Sequence, residues 1–141
     1  MEHEESQYVL NHQVGYLLRL ANQRHSSLFQ KIVPLGLTPT QFAALVKLAE
    51  LGKCSQNELG RQTAMDVATI KGVVERLNKK GLIEVNPDPK DKRRTILSIP
   101  QDQLKIIPDL FEAGKKISSV TLSPLSPSEQ KTFLRLLKKL G

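Results

Sequence analysis

A chain of 141 residues, 39% hydrophobic and without tryptophan, has room for one domain or for a core with an accessory element. No run of about 18 apolar residues occurs, which excludes a membrane-spanning helix, and the acidic opening "MEHEESQ" is not the start of a secretory signal. The net charge of +7 favours a polyanionic partner; the single cysteine, Cys54, excludes an internal disulfide and fits a reducing cytoplasm.

From about Tyr8 to Val33 the apolar residues Leu10, Val14, Leu17, Leu18, Ala21, Leu28 and Ile32 recur at helical steps. Pro34 and Gly36 end that stretch. A helix of about 25 residues would span roughly 37 Å, more than a small domain needs. In "LTPTQFAALVKLAELG", Thr38 is an N-cap, Pro39 suits the first turn and Gln41 closes a capping box. Phe42, Leu45, Val46 and Ala49 share a face, and Gly52 ends the helix. "SQNELGRQ" repeats the device, with Ser55 as cap, Glu58 answering it and Leu59 inward. "DVATIKGVVERLNKKG" then opens on Asp66, buries Ile70, Val73, Val74 and Leu77, and stops at Gly81.

Two β-rich segments follow, Leu82–Val85 and Thr95–Ile99, as the arms of a hairpin around "NPDPKDKRRT". Between Lys53 and Ile99 stand ten cations and six acids, with the cations clustered late. Leu104, Ile107, Phe111, Ile117 and Val120 keep a helical period that Pro108 bends or restarts. Ser126, Pro127 and Glu129 then cap a last helix with Phe133, Leu134, Leu137 and Leu140 on its stripe.

The expected fold is mainly α with a small β-hairpin wing, since helix, short helix, capped helix and hairpin is the order of a winged helix-turn-helix. Residues 1–36 read as an N-terminal dimerisation helix, 37–100 as the DNA-binding region and 101–141 as C-terminal dimerisation helices, in one intertwined domain. The terminal stripes exceed what a 60-residue domain can cover. A homodimer would bury them and set two recognition helices roughly 34 Å apart on double-stranded DNA.

On the 66–80 helix, Ala68, Gly72, Glu75 and Lys79 point outward, flanked by Thr69 and Arg76. A mid-helix glycine costs around 1 kcal/mol relative to alanine; at Gly72 it lets the backbone approach a groove. Ala68 and Thr69 offer methyls and a hydroxyl, and Arg76 takes guanine or a phosphate. Glu75 on that face counts against DNA and needs a cation to offset it. In the finger, Pro87 and Pro89 lower the entropy lost on binding. Lys90, Lys92, Arg93 and Arg94 suit phosphates and a narrow minor groove, while Asp91 holds an arginine or the turn. Ser55 and Gln56, opening the short helix, complete the DNA-contacting set.

These stretches resemble the MarR family of bacterial transcriptional regulators over nearly the whole chain. The most specific part is Leu77 with Lys79–Leu82, leading into a wing with Asp91-Lys92-Arg93. The resemblance implies a homodimeric regulator, commonly a repressor released by a small aromatic or phenolic carboxylate or its thioester. It also implies Arg93 in the minor groove and Thr69 as a recognition-helix contact. "PQDQ" at 100–103 departs from the family's Thr-x-x-Gly opening of the next helix.

His12, Tyr16 and Arg19 lie at four- and three-residue steps on the first helix. They either hold the carboxylate and ring of an effector or make dimer and solvent contacts; Arg24 and His25 join that site or the interface. A redox alternative rests on Cys54, near a helix start that would stabilise its thiolate somewhat. An ordinary small residue is favoured there, because redox members of the family carry their cysteine in the first helix. A metal is not expected: His12 and His25 are about 220° apart around a helix, and His3 lies in the polar start. No catalytic motif or cofactor signature is present. The remaining alternative is a winged-helix interaction or architectural module without a ligand.

Overall fold

The computed structural model describes residues 7–141, so His3 and the acidic start lie outside the described residues. The helices are α1 (Val14–Ile32), α2 (Pro39–Leu51), α3 (Gln56–Gln62), α4 (Val67–Lys79), α5 (Ile107–Leu122) and α6 (Pro127–Leu140). The strands are β1 (Lys53–Ser55), β2 (Glu84–Pro87) and β3 (Thr95–Ser98). Single 3-10 segments occupy Leu10–His12, Pro34–Gly36 and Gln101–Ile106. Among the described residues no helix is long and apolar enough to cross a membrane.

The chain divides into two compact units. One is Val33–Lys116; the other joins the described residues through Ile32 to Ile117–Gly141.

The central unit is organised by its caps. Thr38 Oγ1 accepts the Gln41 N–H at 3.3 Å while Gln41 Oε1 accepts the Thr38 N–H at 3.2 Å, the capping box expected at the start of α2. Ser55 Oγ accepts from Glu58 N for α3, and Asp66 accepts from Thr69 N at 2.7 Å for α4. Gly52 and Gly81 leave α2 and α4 at φ +84° and +74°, left-handed turns that favour glycine. Leu45 and Leu48 of α2, Leu59 of α3, Ile70 and Leu77 of α4, Leu97 of β3 and Leu110 of α5 are fully buried. Each such side chain contributes about 1.5–3 kcal/mol relative to exposure.

The sheet has one strand more than the expected hairpin. Its order is β1-β3-β2, all antiparallel, with Cys54 opposite Leu97 and Val85 opposite the same Leu97 on the other edge. The first arm also starts later than Leu82. Leu82 and Ile83 are core residues at the exit of α4, where Leu82 N donates to Leu77 O, and pairing begins only at Glu84. Their hydrophobicity reflects burial, not ladder membership. After β3, a 3-10 segment precedes α5, and Pro108 is the second residue of that helix, where a missing N–H leaves no bond unmade. Of bending or restarting the helix, Pro108 does the second.

In the terminal unit the expected continuous helix from Tyr8 is broken: Leu10–His12 is a 3-10 turn, Gln13 is extended, and α1 begins at Val14. Gln13 Nε2 donates to Val9 O across the break. Arg24 donates to the carbonyls of Thr121 and Val120, and His25 Nδ1 meets Thr121 Oγ1 at 2.9 Å. Ser126 and Glu129 form the second capping box, which holds the Glu129 carboxyl below its ordinary range. Asp66 is lowered in the same way by the Thr69 N–H. Because both are depressed on folding, the stability they add is present at neutral pH and fades on acidification through the carboxylate range.

One glycine has a packing reason. A Cβ at Gly60 would lie 3.1 Å from Ile70 Cγ2 and 3.2 Å from the Met65 carbonyl oxygen, tighter than ordinary van der Waals contact, so α3 and α4 would have to give by a few tenths of an ångström to accept one. Gly60→Ala is expected to lower stability in urea denaturation by about 1–2 kcal/mol, overpacking outweighing the gain in helix propensity.

Candidate nucleic-acid interface

α3 and α4 are joined by the short turn after Thr63, and α4 carries its expected buried stripe of Ile70, Val73, Val74 and Leu77. On the other side Ala68, Thr69, Glu75, Arg76 and Lys79 are exposed and Gly72 half-buried. Ala68, Thr69, Gly72 and Arg76 border one cleft of about 360 Å³, closed on its far side by Thr38 and Thr40 at the start of α2. The threonines were not among the residues expected at the site; Thr38 is hidden in the sequence by its capping role.

Gly72 contrasts with Gly60. A Cβ built on Gly72 would meet no atom within 4 Å, so nothing inside the chain requires a glycine in the middle of α4.

The finger is a constructed turn. Asp88 N donates to Arg94 O at 3.0 Å and Arg94 N to Asp91 O at 3.0 Å. Asp88 Oδ1 accepts the Lys90 N–H and Asp91 Oδ1 the Arg93 N–H, so both aspartates act first as turn formers. Asp91 also lies 3.7 Å from Arg93 Nε, but that side chain is 94% exposed and the pair adds little. Lys90 and Lys92 stand exposed at the tip. Arg93 and Arg94 instead border a notch of about 480 Å³ between the finger and α3, shared with Ser55 and Gln56.

Glu58 lines the same notch and departs from expectation. It does not close a capping box on Ser55: its carboxylate accepts from Gln62 Nε2 at 3.0 Å and from Arg61 Nη2. Those hydrogen bonds and the Arg61 charge hold it below the usual carboxylate range.

Cys54 corrects a second expectation. It sits in β1 with its side chain half-buried, and burial, then the Glu58 charge, push its thiol up. A stabilised thiolate, the basis of the redox alternative, is the opposite of what this environment produces. Glu58→Gln is expected to lower the Cys54 pKa by removing a nearby anion. Its alkylation by iodoacetamide at pH 8 should quicken while remaining slower than that of free cysteine, because burial still raises the thiol.

In the terminal unit, the effector candidates separate. Arg19 Cζ lies 5.5 Å above the Tyr16 ring, a cation–π pair on α1. His12 falls in the 3-10 turn ahead of the helix, so the shared-face spacing does not extend to it. Arg24 and His25 engage the end of α5 within the same chain. His25 also borders a second hollow of about 360 Å³, lined mainly by Leu18, Leu122, Phe133, Leu134 and Leu137.

The MarR family profile matches residues 37–95. The chain is 36% identical over 138 residues to the HTH-type transcriptional repressor NicR of Pseudomonas putida, covering 97% of this chain and 87% of that protein. Among solved structures, a probable transcriptional regulator from Pseudomonas aeruginosa superposes with a TM-score of 0.90 at 50% identity, covering 94% of this chain and all of that one. BpsR of Bordetella bronchiseptica, described with a mechanism for regulation of its DNA binding by 6-hydroxynicotinic acid, has a TM-score of 0.88 at 35% identity, covering 96% of this chain and 97% of the other. With cap, glycine stops, helix pair and basic finger all in place, the chain belongs to the MarR family of winged helix transcriptional regulators.

Proposed function

We propose that this regulator is a repressor that binds a near-palindromic operator as a homodimer and is released by a small aromatic or phenolic carboxylate, free or as a thioester. Gly72 carries the DNA part of the reading. A mid-helix glycine that costs about 1 kcal/mol and relieves no internal contact has its use in what approaches from outside. A duplex groove is such a partner, with Ala68 and Thr69 beside it for base edges and Arg76 for guanine or phosphate. Ser55, Gln56, Lys90, Lys92, Arg93 and Arg94 then supply backbone and minor-groove contacts.

Support for the homodimer comes from exposed apolar side chains on the terminal helices. Val14 is 64% exposed, and Leu17, Leu18 and Leu20 of α1 and Phe133, Leu134, Leu136 and Leu137 of α6 are exposed as well. So much apolar surface on two amphipathic helices is a surface for a partner. NicR is named a repressor, and BpsR is regulated by an aromatic acid. Tyr16 with Arg19 offers a ring and a cation to such a ligand. Binding would favour a spacing of the two recognition helices that does not fit successive major grooves, lowering DNA affinity through a population shift.

Gly72→Ala tests the DNA reading with opposite signs in two measurements. Stability in denaturant should rise by up to about 1 kcal/mol, and affinity for a duplex selected by the wild-type protein from a random pool should fall. A variant both more stable and equally tight removes the groove argument, and a selection that enriches no sequence favours an architectural binder. For the effector, 6-hydroxynicotinic acid, benzoates and hydroxycinnamates should be screened by thermal shift. A true ligand at about 100 times its Kd adds about 2.7 kcal/mol. Arg19→Ala should abolish the shift, and an undiminished response would place the pocket elsewhere.

A further inference from the structure

We propose that the notch between α3 and the finger seats one backbone phosphate of duplex DNA, with Arg61 as a third guanidinium beside Arg93 and Arg94 and Glu58 as the residue that positions it. This rests on the DNA-binding reading and adds a contact outside the expected set.

The notch is bordered by three arginines and two acids, Glu58 and Asp88. Both acids are already engaged. Asp88 Oδ1 takes the Lys90 N–H within the turn, and Glu58 takes Arg61 and Gln62. Cys54, also on the wall, is kept neutral, so it adds no negative charge. Among the lining side chains alone, three arginines against two acids leave one positive charge for a phosphodiester, and Asp91 lies outside that lining. The Arg94 guanidinium has no partner among the described residues, and Arg93 reaches only Asp91 at 3.7 Å.

Arg61 is 69% exposed despite its pair with Glu58. An ion pair that open to water fixes a pose more than it stabilises a fold. With two carboxylate hydrogen bonds arranged on α3, the guanidinium is held at the rim with its other N–H groups free. Ser55 Oγ, which accepts from Glu58 N, can still donate its own proton into the notch. Among the lining residues only Ile96 is a large hydrophobe. An aromatic acid would find no apolar wall for its ring there, whereas a phosphate oxygen needs only donors.

The test measures binding of the full chain to a random-sequence duplex by fluorescence anisotropy across a sodium chloride series, because phosphate contacts are indifferent to sequence. Arg61→Ala should weaken random and selected duplexes by the same factor and flatten the slope of log K against log salt by about one per bound chain. Arg61→Lys should restore the slope but only part of the affinity, since an ammonium cannot make the forked contact. Lys115→Ala, which breaks a similar exposed pair with Glu112 on α5, should change neither. If wild-type protein binds and Arg61→Ala leaves its slope unaltered, the notch is not a phosphate seat. The proposal is equally overturned if inorganic phosphate raises the Tm of the wild type but not of Arg61→Ala while the slopes agree, because the notch is then a small-anion site. Wild-type protein that binds no duplex at all overturns the DNA-binding reading itself.

Discussion

The central unit depends on the pairing of β3 along both of its edges. One edge takes Lys53–Ser55, immediately ahead of α3; the other takes Glu84–Pro87, a few residues beyond α4. A four-residue strand thus ties the entry to the helix pair and its exit to the same backbone. Leu97, fully buried at the centre of that strand, faces the core that α2, α3, α4 and α5 share. Without the ladder, the finger would be a tethered loop and the helix pair would lack a fixed reference.

Charge in this unit is arranged with its carboxylates on structural duty. Asp66 caps α4, Asp88 and Asp91 close the finger's turns, and Glu58 orients Arg61. Several of the acids that dilute the charge of a basic surface therefore shape it, and the guanidiniums of Arg93 and Arg94 are left in solvent. Glu75, the acid that weighed against DNA on the outward face of α4, is exposed, and its side chain has no hydrogen bond or ion pair among the described residues. The structure gives it no such structural role.

What was legible in the sequence was local. Thr38 with Gln41, Ser126 with Glu129, Asp66 and the glycines at 52 and 81 announce helix ends because their partners lie within a few residues. The stripe of Ile70, Val73, Val74 and Leu77 follows from period alone. β1 was not legible. Three residues, two of them polar, carry no strand signal, and only the distant Ile96–Ser98 segment makes them one. Leu82 and Ile83 misled because burial at a helix exit and burial in a strand use the same residue types. Glu58 obeyed the capping-box pattern yet found better partners one turn further on, at Arg61 and Gln62. The environment of Cys54 depends on both surprises, so its raised thiol could not be read from spacing. The break at Gln13, which detaches His12 from α1, has no Pro to mark it, and the nearby Gly15 falls inside the helix.

Ser55 is at once the last residue of β1 and the cap of α3, so strand alignment and helix start are one decision. β3 is therefore anchored from the edge away from the finger. The segment between Asp88 and Arg94 is thus not alone in setting that alignment, as a tight hairpin turn otherwise would be. Residues added or lost there would alter how far the arginines extend without shifting the helices beneath them. The reach of the finger and the placement of the helices can therefore diverge independently in this architecture.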